Sequence, residues 1–140
     1  MIQPKHLKYD NIIEHNFEYY RIVGVDLYNV KCYLLKDTKN ETLYEMKSHV
    51  FSPIPLTEKI LLKCGFNKIK CFKYCDGSID FLPVFCLYNY LLKNYEGDSW
   101  GLCKMKNNDI ECVLSTKIKY LHQLQNLYFA LTGTELNVNL

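Results

Sequence analysis

The sequence of 140 residues predicts an α+β fold. Three observations support this: an alternation of apolar and polar residues through the first fifty positions, a proline-containing connector after them, and an amphipathic helix in the last third. We expect an N-terminal β region, forming a small SH3-like β-barrel or a meander. A second region would form an antiparallel sheet covered by the C-terminal helix.

The first region alternates in character with the two-residue period of strands. Turn-forming residues separate its candidate strands, at positions 15–16, 27–29 and 37–40. Several strands of this length joined by tight turns favour a small barrel or a curled meander. The candidate strands are Asn11–Glu14, Phe17–Asp26, Val30–Lys36 and Glu41–Lys47.

The connector Ser52–Leu56 contains two prolines, which exclude regular helix there. Thr57 is placed to cap a short helix over Glu58–Cys64, and Gly65 is placed to end it. The connector is also the best candidate for a boundary. Residues 1–52 would be a β-rich lobe, and residues 53–140 would hold the short helix, the sheet and the C-terminal helix, as one compact unit.

The second region contains further strand patterns, with turn residues at positions 76–77, 96–98 and 107–108. Residues 84–93 suit either a strand or a helix, because their apolar positions fit both periods. The candidate strands are Ile69–Tyr74, Ile79–Phe85, Cys86–Lys93, Trp100–Lys104 and Ile110–Leu114.

The closing helix is predicted over Ile118–Leu131. Its apolar residues recur every three or four positions and form one stripe. A hydroxyl at Ser115 or Thr116 would cap its start. Gly133 would end it in a left-handed conformation, with Leu136 folding back onto the last turn.

Composition limits the class of protein. A hydrophobic content of 49% and a charged content of 23% are ordinary for a folded domain. The net charge of +2 is too small to indicate nucleic-acid binding by itself. No apolar run approaches the roughly 20 residues that cross a bilayer, and the N-terminus lacks a signal-peptide pattern, so no membrane association is expected. A reducing cytoplasm is the expected location.

The sequence contains only weak patterns for metal binding, phosphate binding or catalysis. The seven cysteines contain no Cys-x-x-Cys pair and the four histidines are scattered, so we expect no metal site and no cofactor. No phosphate-binding glycine motif occurs, and no cysteine is marked as a nucleophile. We therefore expect no catalytic residues and a protein that is not an enzyme.

A lysine cluster is the first candidate binding feature. It lies beside aromatic residues, a combination that contacts phosphates and stacks on bases. The alternative is a solvated strand whose lysines protect a sheet edge. The candidate residues are Lys63, Lys68, Lys70, Lys73 and Tyr74.

The polar side of the closing helix is the second candidate. His122, Asn126 and Phe129 are four and three residues apart and therefore share a side. They would form a contact stripe for a partner. The alternative is that Gln and Asn side chains tie neighbouring loops to the helix, while Phe129 covers a strand.

Several blocks of the chain resemble a family of small proteins, mostly of unknown function, encoded by phages and mobile elements of the Bacteroides–Flavobacterium group. The blocks are Pro53–Glu58, Leu61–Phe66 and Tyr120–Gly133 with Glu135 and Leu136, about a fifth of the chain. Leu7–Ile13 matches less well, because a glycine near Asp10 is absent. The resemblance implies a mobile-element origin and no catalytic residues.

Three functions follow as expectations. The first is a binding protein that inhibits or modulates a host defence ribonucleoprotein, as an anti-CRISPR protein does, with a host protein or ribonucleoprotein as partner and a possible RNA contact. The second is a structural or assembly component that forms a homo-oligomer. The third is a small nuclease or other enzyme. The sequence leaves the oligomeric state open.

Overall fold

The computed structural model describes residues 2–39, 42–80, 83–107 and 109–140. It is mostly antiparallel sheet with a C-terminal helix, which confirms the α+β prediction. The chain divides into two compact units. The first contains the residues up to Pro55 with Tyr120–Leu136 and Leu140, and the second contains Leu56–Lys119 with Asn137–Asn139. The sequence pattern instead predicts a boundary between residues 52 and 53, with the closing helix in the second region.

The first unit contains a four-stranded antiparallel sheet. Its strands pair in chain order, so the sheet is a meander. The described strands leave this sheet open, with β1 and β4 at its edges, and the SH3-like barrel is not seen. Glu41, the predicted start of the last strand, lies outside the described residues. The strands are β1 Ile12–His15, β2 Glu18–Val25, β3 Asn29–Leu34 and β4 Leu43–Lys47.

One face of this sheet forms an apolar core. Inward residues alternate along the strands as the two-residue period requires. Ile22 on β2 and Val30 and Cys32 on β3 are fully buried. The remaining core members are Ile2, Leu7, Ile13, Tyr20 and Phe51. The residues before β1 therefore belong to the folded unit.

The second unit begins with the short helix α1, Glu58–Lys63. As predicted, Thr57 caps it: the Thr57 hydroxyl oxygen accepts from the backbone N–H of Ile60 at 3.3 Å. Gly65 follows with a φ of 84°, the left-handed conformation that ends a helix. The predicted start is confirmed, and the helix ends one residue earlier than predicted, at Lys63 and not at Cys64.

The second unit also contains a five-stranded antiparallel sheet in the order β11-β10-β9-β8-β5, and a separate two-stranded hairpin of β6 and β7. Residues 84–93 form β8, a turn and the start of β9, so they are extended and not helical, but a turn at 88–89 interrupts the predicted strand Cys86–Lys93. The predicted strand over 69–74 is divided between β5 and β6. Residues 81, 82 and 108, within other predicted segments, lie outside the described residues. The strands are β5 Asn67–Ile69, β6 Phe72–Lys73, β7 Ile79–Asp80, β8 Val84–Leu87, β9 Tyr90–Glu96, β10 Ser99–Lys106 and β11 Asp109–Ile118.

Buried aromatic residues anchor this sheet. The rings of Phe85 and Trp100 meet edge to face with centroids 5.6 Å apart. Trp100 donates its indole N–H to the backbone carbonyl of Leu56 at 2.9 Å, which satisfies its polar group inside the unit. Leu91 on β9 and Leu102 on β10 are also fully buried.

The closing helix, α2, spans Leu121–Thr132 and starts later than predicted. Ile118 is the last residue of β11, and Tyr120 occupies the N-cap position. Ser115 and Thr116 are therefore strand residues and not caps. Gly133 ends the helix with a φ of 70°, and its N–H binds the carbonyl of Phe129 at 2.8 Å, as predicted. Within the described ranges, no helix has the length and apolar character needed to span a membrane.

The helix α2 belongs to the first unit, whereas the sequence pattern grouped it with the second sheet. The reason lies in two of its polar side chains. Gln125 and Asn126 form hydrogen bonds with the chain between His6 and Ile12. Leu121 and Leu124, on the predicted apolar stripe, are fully buried.

Candidate functional site

The predicted lysine cluster lies in the second unit, and its members have different environments. Lys63 is exposed in the last turn of α1. Lys68 lies on β5, an edge strand of the five-stranded sheet. Its ammonium pairs with the Glu58 carboxylate at 2.7 Å and lies 5.9 Å from the ring centroid of Phe85. Lys68 thus fits the alternative in which a lysine occupies a sheet edge.

Lys70 and Lys73 differ from Lys68. Both are exposed, one just before β6 and one on it. Neither forms an ion pair with any residue that the structure describes. Their charges therefore remain available to an anionic partner. We call residues 70–80, which comprise Lys70 and the β6–β7 hairpin, the basic hairpin.

Aromatic rings accompany these two lysines. Phe72 and Tyr74 pack edge to face with ring centroids 4.9 Å apart, and both are partly exposed. The Lys93 ammonium lies 5.9 Å from the Tyr74 ring centroid. The basic hairpin therefore combines positive charge with partly exposed ring surface, the combination that favours single-stranded nucleic acid.

The turn of the basic hairpin is fixed by its own hydrogen bonds. The Asp76 carboxylate accepts from the hydroxyl and the backbone N–H of Ser78, at 2.6 and 2.8 Å. These bonds lower the pKa of Asp76, the hydroxyl bond contributing most. Gly77 supplies the left-handed φ of 88° that the turn needs. Tyr74 and Lys73 are thereby held on a defined backbone.

The predicted stripe on α2 lies in the first unit, and its members do not share one role. Asn126 accepts from the Asn11 amide at 2.8 Å and donates to the His6 carbonyl at 3.0 Å. Its side chain thus ties the N-terminal segment to the helix, as the alternative interpretation proposed. Phe129 is 39% exposed, and the Lys8 ammonium lies 4.1 Å from its ring centroid.

His122 is buried, with 5% of its surface exposed. Its ring stacks on Tyr120 at an interplanar angle of 8° and a centroid distance of 5.9 Å. Burial, with a smaller contribution from the nearby His6, lowers the pKa of His122 to about 4. The imidazole is therefore neutral at neutral pH, and its Nδ1 has no hydrogen-bond partner among the described residues.

Two buried amides were missed by the sequence analysis. Asn11 is fully buried, and its side chain accepts from the backbone N–H of Lys8 at 3.0 Å. Gln125 accepts from the N–H of Ile12 and donates to the carbonyl of Asp10, both at 3.0 Å. A signal was present for Gln125, because it lies between Leu124 and Tyr128 on the apolar stripe. A polar residue in such a stripe indicates a buried, hydrogen-bonded group.

The cysteines occur as free thiols. The three buried ones are Cys32, Cys64 and Cys103, and burial raises the pKa of Cys32 to about 11 and that of Cys64 to about 12. Thiols of this kind are poor nucleophiles. Within the described ranges, no group of three or more His, Cys, Asp or Glu side chains is arranged to hold a metal ion.

Comparison of the chain with protein-family models, with curated proteins and with solved structures found no match.

Proposed function

We propose that this protein is a non-enzymatic binding protein that inhibits or modulates a host defence ribonucleoprotein, in the manner of an anti-CRISPR protein. The basic hairpin carries this proposal, because it presents two uncommitted lysines beside an aromatic pair. Such a surface suits the phosphates and bases of a guide or target RNA held by the ribonucleoprotein. The resemblance of residues 120–133 to mobile-element proteins adds the biological setting, inside a bacterial host.

The contact would depend mainly on charge. Lys70 and Lys73 each neutralise one phosphate, and the released counterions make the affinity fall as salt rises. Phe72 and Tyr74 would add stacking, worth about 1–3 kcal/mol per base. Lys68 would contribute less, because Glu58 already balances its charge.

The test starts with a tagged protein recovered from its native host, with and without RNase, and continues with the purified effector. The double variant Lys70→Glu and Lys73→Glu should reduce inhibition of effector cleavage at least about tenfold. The matched control reverses two exposed lysines of the first unit, Lys31→Glu and Lys47→Glu, and should behave as the wild type.

Each result of these experiments would point to a different function or contact surface. Recovery of the bait alone would count against the inhibitor proposal and favour a structural homo-oligomer. Equal inhibition by both double variants would remove the basic hairpin as the contact. Cleavage of RNA or DNA by the protein alone, in Mg²⁺ or Mn²⁺, would favour the nuclease alternative.

A further inference from the structure

The first unit contains a cavity of about 630 Å³ beside the polar side of α2. This volume lies within the range of small-molecule sites. Its walls are the segment before β1 and one flank of the helix. The lining residues are Lys5, His6, Leu7, Lys8, His122, Gln123, Asn126 and Leu127. We propose that this cavity binds a small molecule bearing a phosphate or carboxylate group, of about the size of a mononucleotide.

Charge selects the class of ligand. Two lysines, Lys5 and Lys8, and two histidines line the cavity, and none of the described Asp or Glu residues does. Phosphate and carboxylate oxygens are the acceptors that lysine and imidazole donors bind most strongly. A cation would meet repulsion from both lysines. Leu7 and Leu127 supply an apolar wall suited to a ring or a short carbon chain.

The walls are held in place before any ligand arrives. Asn126 donates to the His6 carbonyl at 3.0 Å, which fixes the segment against the helix. Asn11 accepts from the Lys8 N–H at 3.0 Å and donates to Asn126 at 2.8 Å. The Lys8 ammonium is further positioned over the Phe129 ring at 4.1 Å. A cavity with fixed walls loses less conformational freedom on binding.

His122 is the second notable group at this cavity. It borders the cavity, is more than nine-tenths buried, and its Nδ1 has no hydrogen-bond partner in the part of the chain that the structure describes. Buried polar groups in folded proteins are normally paired, and an unpaired one costs about 1–3 kcal/mol. Nδ1 itself has no solvent-exposed surface, so a ligand group would supply the missing partner only after the ring reorients toward the cavity. The neutral imidazole has one N–H to donate and one lone pair to accept.

The test is a titration of ¹⁵N-labelled full-length protein followed by amide chemical shifts. The probes are AMP, inorganic phosphate and citrate, each compared with NaCl at equal ionic strength. We expect saturable shifts confined to residues 5–8 and 122–127. Saturation by AMP or phosphate would identify a phosphate ligand, and saturation by citrate alone a carboxylate ligand.

Variants make the result decisive. Lys5→Gln with Lys8→Gln should weaken binding about tenfold or more, since two charge-assisted contacts are lost. His122→Phe should weaken it while keeping the buried volume similar. The control Lys31→Gln with Lys47→Gln should bind as the wild type. The lysine variants decide the question even if His122→Phe does not fold.

Shifts that do not saturate with any of the three probes, or equal affinity in the Lys5/Lys8 variant, would overturn the proposal. The Lys70/Lys73 variant of the basic hairpin should bind these probes normally. The cavity and the proposed inhibitory function are thus tested separately.

Discussion

At the scale of single residues, Gln125 joins parts of the chain that are far apart in sequence. Its amide pairs with Ile12 and Asp10, residues 113 and 115 positions away. Both ends of the amide are used, and the side chain is 2% exposed. The bonds therefore satisfy backbone groups that would otherwise be buried without partners.

We predict that Gln125→Leu lowers the free energy of unfolding by about 2–4 kcal/mol, because it leaves two backbone groups unpaired. Urea unfolding at pH 7 measures this. The control is Gln123→Leu on the same helix, where the exposed side chain accepts from the Tyr120 N–H at 3.1 Å. Its loss should be about 1 kcal/mol, as for a helix cap. Equal losses in the two variants would contradict the role given to Gln125.

Phe17 is the second informative residue. Its backbone has a positive φ, which is costly for a residue with a side chain, and the side chain itself is almost fully exposed. It occupies the β1–β2 turn with a φ of 63°, following Asn16 at 50°. Its side chain is 95% exposed. Two consecutive left-handed residues form the tight hairpin turn in which Asn-Gly is the favoured pair.

We therefore expect Phe17→Gly to raise the free energy of unfolding by about 0.5–1 kcal/mol, since glycine adopts positive φ without steric cost. Thermal unfolding measures the change. Leu27→Gly is the control, because Leu27 is also exposed, at 81%, but its φ is not positive. A gain in both variants would mean that lost exposed apolar surface, and not the backbone, was responsible.

At the scale of elements, the first turn of α2 contains a buried titratable residue, His122. The pKa of His122 is about 4 in the folded protein, against 6.5 for a free histidine. Between these values the unfolded chain binds more protons than the folded protein. The free energy of unfolding therefore falls as pH is lowered from about 6.5 to about 4, by up to about 1.4 kcal/mol per pH unit.

Urea unfolding at pH 7, 5.5 and 4.5 checks this prediction. In His122→Gln the histidine contribution to the slope should disappear, so the variant and the wild type should converge in stability as pH falls. His49→Gln replaces an exposed histidine and should keep the wild-type slope. An unchanged slope in His122→Gln would show that other groups control the acid response.

The same helix shows what the sequence could predict. The spacing of Leu121, Leu124 and Tyr128 correctly identified the buried face, because that periodicity is a local property. The start was wrong, because residues 115–118 suit a strand as well as a helix, and pairing with β10 decided the matter. The sheet that the helix joins depends on bonds to Asp10 and Ile12, which local spacing does not reveal.

The candidate sites follow the same rule. Lys70 and Lys73 are exposed, as a charged strand pattern suggests. The ion pair of Lys68 with Glu58 was not predicted, since it depends on how α1 lies against β5 inside the second unit. The cavity was missed entirely, because the histidines that line it, His6 and His122, are far apart in the sequence.

At the scale of the whole molecule, the exposure of the seven cysteine thiols can be compared between the two units. Cys71 and Cys112 are exposed. Cys75 is also exposed, but it donates its S–H to the Asp109 carboxylate at 3.0 Å, and this bond raises its pKa. Cys32 and Cys64 are buried, one in each unit.

We predict that iodoacetamide at pH 8 modifies Cys71 and Cys112 first and Cys75 more slowly, since the thiolate is the reactive form. Cys32 and Cys64 should react only after unfolding. Peptide mass spectrometry over time gives the order. Asp109→Asn should accelerate Cys75 and leave Cys71 unchanged. Early modification of Cys32 or Cys64 would mean that the corresponding unit opens readily.

The division of the chain has a consequence for its synthesis. The first sheet leaves the ribosome early, but Gln125, which completes the pairing of Asp10 and Ile12, follows 113 residues after Ile12. At the usual 5–20 residues per second, those backbone groups wait roughly 5 to 25 s for their partner. Asn139, whose N–H binds the Lys63 carbonyl of the second unit, comes later still. Residues 125–139 thus complete the hydrogen bonding of both units, and a nascent chain stalled before them would expose two incomplete folds together.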